Sequence, residues 1–419
     1  MSNYSISVVG LGYIGLPTSA AFADAGMHVH GVDLNNEVVE IINDGKIHIV
    51  EPGLSKIVKK VVESGKLKAS TKPQKADAFL IAVPTPFKGD NFEPDLSYIE
   101  SAAELIAPVL KKNDLIILES TSPIGTTEYL SKILSNIRKD LIFPHIDEFK
   151  NNIYIAHCPE RVLPGNIMNE IVNNNRIIGG MTPDCSKKAR ELYKTFVKGD
   201  CILTDSKTAE MSKLVENSFR DVNIAYANEL SLICNDAGID VRELIKLANL
   251  HPRVDILSPG CGVGGHCIAV DPWFIVSSDP KNSKLIKTAR EVNDSKPTWV
   301  AKKISDYVKK YIKLNEDKEK SFSLALYGLS FKPDIDDLRQ SPALEIALKT
   351  ENLDVPSLYV VEPNISKLPS LFRKAELIDY DLAFENADIH VFLVNHHEFS
   401  GMEKPNEHVL DICGIWPTS

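Results

Sequence analysis

The sequence predicts an α/β protein in three parts: a doubly wound domain, a helical middle built on one long helix, and a smaller doubly wound domain at the C-terminus. Three observations carry this. A short apolar strand runs directly into a glycine-patterned turn at residue 10. About thirty residues from Thr208 contain neither Pro nor Gly and repeat their apolar positions with a helical period. After residue 322, apolar strand-like runs again alternate with helical patterns. Such alternation builds parallel sheets covered by helices. The expected boundaries are 1–205, 206–313 and 314–419.

In the first part, Ile6 to Val9 reads as a buried strand and is followed by Gly10-Leu11-Gly12-Tyr13-Ile14-Gly15. An alanine-rich helix from Leu16 to Ala25 and a strand from His28 to Val32 come next, and that strand closes on Asp33. Strand, G-x-G-x-x-G, helix, strand and acid in this order form the Rossmann dinucleotide fingerprint. The glycines allow a tight turn and close approach of a pyrophosphate at the helix N-terminus. Asp33 would accept hydrogen bonds from ribose hydroxyls and repel a 2′-phosphate, so NAD is expected over NADP. Further strands are expected at Phe79 to Val83, Leu115 to Leu118 and Ile153 to Ala156. Their polar exits bring Thr85, Thr121 and Glu160 to the carboxyl edge of the sheet, where ligands of such folds bind.

In the middle part, the pattern from Thr208 to Ala237 predicts one helix of roughly 30 residues, about 45 Å long. Its length suggests a connector or a dimer scaffold. Lys213 and Asn217 share a face, which Arg220 continues, and that trio suits an anionic ligand or an oxyanion. From the residues alone, a solvated helix face is the better reading of the trio. His251-Pro252-Arg253 then leads to a loop with four glycines in the six positions from Gly260 to Gly265, followed by His266, Cys267 and, four residues on, Asp271. A thiol and an acid on a glycine loop suit nucleophilic sulfur chemistry. A structural turn with a buried Cys, or a zinc site from Cys261, His266 and Cys267, remain open at this level. Residues 282–308 read as helix broken near Pro297, and 314–320 as a charged linker.

In the third part, strands are expected at Ser323 to Tyr327, Leu358 to Val361, Ile389 to Val394 and His408 to Asp411. The turn after the first strand lacks the glycine triplet, so it should not bind a second dinucleotide in the same way. Ser341 should cap a helix that has Pro342 at its first position. Lys332 and Arg339 are placed to meet a phosphate-bearing ligand, with surface ion pairing as the alternative.

Composition bounds the function. A hydrophobic fraction of 43% and a charged fraction of 25% are those of a soluble globular chain. A net charge of −10 speaks against nucleic acid as a partner. Seven scattered cysteines give no disulfide framework, and no apolar run approaches the roughly 20 residues that cross a bilayer. The expected location is the cytoplasm, with no membrane partner.

Taken together, these blocks resemble the nucleotide-sugar 6-dehydrogenases of the UDP-glucose and GDP-mannose dehydrogenase superfamily along essentially the whole chain. The likeness rests on residues 10–15, Pro84-Thr85-Pro86, residues 120–126, Pro159-Glu160, Ala209 to Lys213 through Asn217, Gly264-Gly265-His266-Cys267 with Asp271, and Phe331-Lys332-Pro333 with Asp336 to Arg339. Where UDP-glucose enzymes usually carry Pro-Glu-Phe-Leu and a later Glu, this chain has Arg161 and Pro164. Where they commonly end the cysteine loop in Pro-Lys-Asp, it has Ala269-Val270-Asp271. These departures fit an N-acetylated sugar, and the blocks Cys158 to Gly165, Asn217 to Ile224 and Gly262 to Pro272 resemble the branch that takes UDP-N-acetyl-D-mannosamine, with UDP-N-acetylglucosamine and then UDP-glucose as the alternative substrates.

The resemblance implies a four-electron oxidation at C6 with two NAD⁺ and a thioester on Cys267. It gives Lys213 and Asn217 oxyanion roles, Asp271 and Glu160 proton-transfer roles, and Thr121 a part in ordering water. It implies cofactor contacts at Gly10, Gly12, Tyr13, Ile14, Gly15, Asp33, Thr85 and Thr126. Substrate contacts fall on Arg161, Val162, Lys213, Asn217, Arg220, His251, Arg253, Gly264, Phe331, Lys332 and Arg339, with the UDP moiety on the third domain. It also implies a homodimer and no metal. An idle nucleotide-sugar-binding protein and a metalloprotein are the competing classes.

Overall fold

A computed structural model describes residues 4–89, 92–163, 165–315, 321–353, 355–405 and 408–416. The chain divides into two compact units, residues 1–216 and 217–419.

The first unit is built on an eight-stranded sheet. Its strands are β1 (Ser5–Val9), β2 (His28–Val32), β3 (Leu67–Ser70), β4 (Ala78–Ile81), β7 (Leu115–Leu118), β8 (Tyr154–His157), β9 (Arg176–Gly180) and β10 (Cys201–Asp205), and β5 (Phe87–Lys88) and β6 (Glu93–Pro94) form a separate hairpin. The order β10-β9-β8-β7-β4-β1-β2-β3 sends the chain one way from β1 through β2 and β3, and the other way from β4. The crevice at the carboxyl ends of β1 and β4 is thus the topological switch point, the ligand position of open α/β sheets. The pairing is parallel except between β8 and β9.

Helices α1 (Gly15–Asp24), α2 (Asn36–Asn43), α3 (Leu54–Glu63), α4 (Ser97–Ile106), α5 (Thr126–Ile137), α6 (Ile167–Asn173) and α7 (Pro183–Tyr193) join the strands. α1 is buried from Gly15 to Ala23, which its small residues permit. β4 and β7 are buried at every position, as strands covered on both faces must be.

The long helix α8 runs over Ser206–Ala237, 32 residues, starting two residues before the expected point. The second unit continues with α9 (Val241–Ala248), α10 (Asp271–Ser278), α11 (Lys284–Leu314), α12 (Pro342–Glu351) and α13 (Tyr380–Asn386). Its parallel five-stranded sheet has the order β13-β12-β11-β14-β15, from β11 (Ser323–Tyr327), β12 (Ser357–Val361), β13 (Glu376–Leu377), β14 (Ile389–Phe392) and β15 (Val409–Asp411). β11 repeats the central place of β1. Gly10 and Gly328 follow these two strands with φ near +90°, and their amides donate to Val32 and Val361 at 2.8 Å.

One expectation is corrected. α11 is continuous through Pro297 rather than broken there. Proline removes one backbone hydrogen bond and crowds the preceding turn. Here Ala289, Arg290 and Asn293 before it, and Val300, Ile304, Val308 and Tyr311 after it, bury one helix face on both sides. That tertiary packing outweighs the local penalty. The linker expected at 314–320 falls mostly on residues 316–320, which lie outside the described residues, as does Pro164; Leu314 is the last residue of α11.

Candidate active site

In the first unit the expected dinucleotide residues gather at the switch point. Gly10 lies so close to the β4 exit that a Cβ there would meet the Ala82 carbonyl oxygen at 2.5 Å, and a Cβ on Gly15 would lie 1.8 Å from the Gly10 oxygen. Both glycines are required by the protein's own packing. Gly12 differs, because a Cβ there would meet nothing within 4 Å. Its missing side chain leaves open space above the turn, which is the room a pyrophosphate needs. Asp33 accepts the Leu11 amide (3.0 Å) and the Asn35 amide (3.0 Å), which fixes the carboxylate at the β2 exit. Tyr13 is exposed and Ile14 half-buried just before α1.

The exits of β4 and β7 are tied together. Ser120 Oγ accepts the Val83 amide and donates to the Val83 carbonyl, while Thr85 Oγ1 donates to the Thr121 carbonyl at 2.5 Å. Thr126 opens α5, with its hydroxyl on the Pro123 carbonyl (2.7 Å). Glu210 of α8 completes this turn: one oxygen accepts the Gly125 amide at 2.6 Å, the other the Thr127 amide and hydroxyl at 2.7 and 2.6 Å. It caps α5 from another helix and anchors α8 three residues before Lys213. Burial raises its carboxyl above the usual range.

Glu160 follows β8 and is buried. Its Oε1 accepts the Arg161 amide (2.7 Å), and its Oε2 meets Arg176 Nη2 (3.1 Å). The same guanidinium reaches Glu119 Oε1 (3.4 Å) and stacks 4.5 Å from the Tyr193 ring centre, whose hydroxyl donates to Glu119 Oε1 at 2.5 Å. Two buried carboxylates thus share one buried cation. Burial lifts the Glu119 carboxyl to about 7 despite Arg176. Arg161 pairs with Glu216 of α8 through both oxygens (2.6 and 3.0 Å), and Val162 is half-buried beside it.

In the second unit the cysteine loop runs into α10. The Cys267 carbonyl accepts the amides of Val270 (3.0 Å) and Asp271 (2.8 Å), so thiol and carboxylate are held one helical turn apart. Cys267 is exposed, whereas Asp271 is buried and accepts Asn217 Nδ2 at 2.5 Å. Lys213 lies one turn before Asn217 on α8. A Cβ on Gly264 would lie 2.4 Å from the Gln340 oxygen and 2.8 Å from Phe331 Cβ; one on Gly265, where φ is +82°, would lie 2.8 Å from the Phe331 ring. The glycines therefore let Phe331 and the turn before α12 press against the loop. Ser341 caps α12 as expected, accepting the Leu344 amide.

The root of the loop hangs on residues that local patterns do not single out. Asn228 accepts the Gly260 amide (2.9 Å) and donates to Asn293, which donates in turn to Asp221, itself paired with Arg290 at 2.6 Å.

Other expected contacts are placed less tightly. Arg220, His251 and Arg253 are exposed. Arg339 pairs with Asp337 at 2.7 and 2.8 Å, and Lys332 is half-buried after β11. The zinc reading loses one of its three donors: Cys261 is buried with its thiol on the Leu393 carbonyl, and burial pushes that thiol up to about 12. Among the described residues, the group spaced like metal ligands is Asp334, His396 and Glu398. There both His396 nitrogens are already engaged, by the Asp334 amide and by Glu362. Among the described residues no helix is long and apolar enough to cross a membrane.

Comparison with known proteins gives three consecutive matches to sequence profiles of the UDP-glucose/GDP-mannose dehydrogenase family: its NAD binding domain over 4–197, its central domain over 207–295 and its UDP binding domain over 325–417. The UDP-N-acetyl-D-mannosamine dehydrogenase of Escherichia coli (strain K12) is 56% identical, covering 99% of this chain and 100% of its own. An NDP-N-acetyl-D-galactosaminuronic acid dehydrogenase of Ralstonia nicotianae is 54% identical over 98% of this chain and 96% of its own. The solved structure of a UDP-D-ManNAc dehydrogenase from Pyrococcus horikoshii superposes with a TM-score of 0.87 at 38% identity, covering 99% of this chain and 96% of that one.

Proposed function

The chain belongs to the UDP-glucose/GDP-mannose dehydrogenase family, and from that premise we propose that it oxidises C6 of UDP-N-acetyl-D-mannosamine to the uronate through a thioester on Cys267. The observation that carries this is the exposed Cys267 held one turn before a buried Asp271 that is fixed by Asn217.

NAD⁺ is the cofactor, and two molecules bound in succession would each accept one hydride, one per oxidation. The open space over Gly12 and the Asp33 carboxylate fit its pyrophosphate and ribose. The chain's own residues do the rest. Lys213 and the second amide hydrogen of Asn217 stabilise the C6 oxyanion. The Cys267 thiolate adds to the aldehyde carbon, forming the C–S bond of a thiohemiacetal. Once that carbon reaches the thioester level, water attacks it and gives its proton to Glu160. The C–S bond then breaks and returns the thiolate. Asp271 relays protons from its position beside Asn217. On the C-terminal unit, Lys332, Arg339 and the Phe331–glycine contact hold the UDP-sugar, and Arg161, Val162, Arg220, His251 and Arg253 complete its contacts.

Phe219, Tyr226 and Ile233 stand exposed at heptad spacing on α8, which supports pairing of two chains along this helix. A cytoplasmic homodimer, without nucleic acid or membrane partners, is the working form.

The direct test is NADH formation against uronate produced, with each UDP-sugar in turn. Two NADH per uronate from UDP-N-acetyl-D-mannosamine is expected, with little from the gluco epimer. One NADH with free aldehyde accumulating defeats the covalent route. The Ralstonia relative, whose name specifies a different sugar at 54% identity, makes a galacto-configured N-acetyl sugar the second substrate to assay. Asp33→Ala is expected to lower the preference for NAD over NADP by roughly tenfold or more, about 1.4 kcal/mol. Unchanged preference, read from kcat/KM for both cofactors, assigns ribose recognition elsewhere.

A further inference from the structure

The second unit contains a cleft of about 290 Å³ between α8, α9, α11 and the end of β15, and the reaction above makes no use of it. Lys296 forms its inner wall at 2% exposure. Its ammonium donates to Ser231 Oγ and lies 4.3 Å from the centre of the Trp299 ring. No carboxylate pairs with it among the described residues. Lys303 approaches the same ring at 5.1 Å and donates to Asn235 Oδ1 at 2.8 Å. Arg242 closes the rim, on the carbonyls of Asp411 and Ile412.

The acids that line the cleft are spent elsewhere. Asp240 caps α9 through the amides of Arg242 and Glu243. Asp411 accepts the amides of Gly414, Ile415 and Trp416 and stands 3.8 Å from Arg242. Three cations therefore face two carboxylates, neither of which reaches Lys296. A buried ammonium without a counter-charge is costly. Burial lowers both lysines from their ordinary range, Lys296 to about 8. A bound anion would remove that cost, and the cations are arranged around the space in which it would sit.

We propose that this cleft binds a small phosphate-type dianion through Lys296, Lys303 and Arg242. The lysines lie over the Trp299 ring, which disfavours a stacked base as occupant and favours a compact charge. On α8, Ser231 and Asn235 fall about 140° and 180° around the helix from the exposed Phe219, Tyr226 and Ile233. Pairing along that stripe leaves the cleft open. Pro259 and Gly260 also line it, so the anion would sit at the root of the cysteine loop. The inference does not depend on the sugar assignment.

The test is a titration of the full-length protein with inorganic phosphate in a chloride buffer, by calorimetry and by thermal shift, beside Lys296→Met and the more exposed Lys303→Met. The expected result is a phosphate-dependent rise in Tm in the parent, with Kd raised at least tenfold in each variant. Lys296→Met is expected to fold at least as stably as the parent without phosphate, since an apolar isostere relieves the buried charge. Glycerol 3-phosphate in a parallel arm separates a free-phosphate site from one for phosphate monoesters by which binds tighter. No phosphate effect on the parent, or the same effect in both variants, overturns the proposal. NADH turnover measured alongside tells this failure from a failure of the dehydrogenase assignment, which would abolish activity with every sugar tested.

Discussion

Cys267→Ser is expected to abolish steady-state uronate formation, by at least on the order of 10³-fold in kcat, while NAD binding and folding persist. The loss follows from the two halves of the sulfur chemistry. A serine hydroxyl is far less ionised than a thiol near neutral pH, so addition to the aldehyde slows. Any acyl-enzyme that formed would be an oxygen ester with a much poorer leaving group than a thiolate. NADH should then stop at no more than two per active site. Folding should persist because Cys267 is exposed; surface changes of this kind usually stay within about 0.5 kcal/mol. The measurement pairs NADH release at high enzyme concentration with NAD binding by fluorescence. Sustained turnover in Cys267→Ser moves the nucleophile to another residue. Cys261→Ser serves as the control, since its thiol is buried on the Leu393 carbonyl and held neutral.

What the sequence shows and what it hides divide along chain distance. The dinucleotide turn, the α12 cap and α8 are legible because each is written in consecutive or periodic residues. β9 is not, because its Gly179 and Gly180 read as chain breakers. The structure gives the reason for them: a Cβ on Gly179 would meet Ala209 Cβ at 2.4 Å, and one on Gly180 the Ser186 amide nitrogen at 2.3 Å. The site divides the same way. Cys267 and Asp271 are four residues apart and visible as a pair. The groups that hold the loop root are not, because Asp221 finds Arg290 across 69 residues and Asn293 across 72. Buried polar partners at such separations leave no local period to detect. The clearest instance is Arg176, which no motif marks and which stands between the candidate base Glu160 and the fully buried Glu119.

Arg176→Met is therefore expected to be among the most destabilising single changes in the first unit, by about 3–5 kcal/mol. The figure is the cost of leaving a buried charge without its partner. Here two carboxylates, Glu119 and Glu160, would be left with side-chain exposures of 0% and 8%. For a unit of this size that corresponds to a fall of roughly 6–20 °C in Tm.

The pH dependence identifies the cause. Glu119 is lifted to about 7 in the folded chain, above its ordinary value, so the native state binds the extra proton. Stability from this group is present at acid pH and is lost as pH rises through the range up to about 7. Without the Arg176 charge that range extends upward. The gap between parent and Arg176→Met should thus widen from pH 5 to pH 8.

Glu119→Gln supplies the second side of the cycle. The amide keeps the Tyr193 hydrogen bond but carries no charge, so placed on Arg176→Met it should recover about 1–3 kcal/mol. In the parent it should mainly flatten the pH dependence. Urea unfolding at pH 5, 6, 7 and 8 reads all four proteins. If the Arg176→Met penalty is equal at every pH and Glu119→Gln restores nothing, Arg176 holds the fold by packing on Tyr193 rather than by charge. Glu160 would then owe its position to the Arg161 amide and the β8 exit alone.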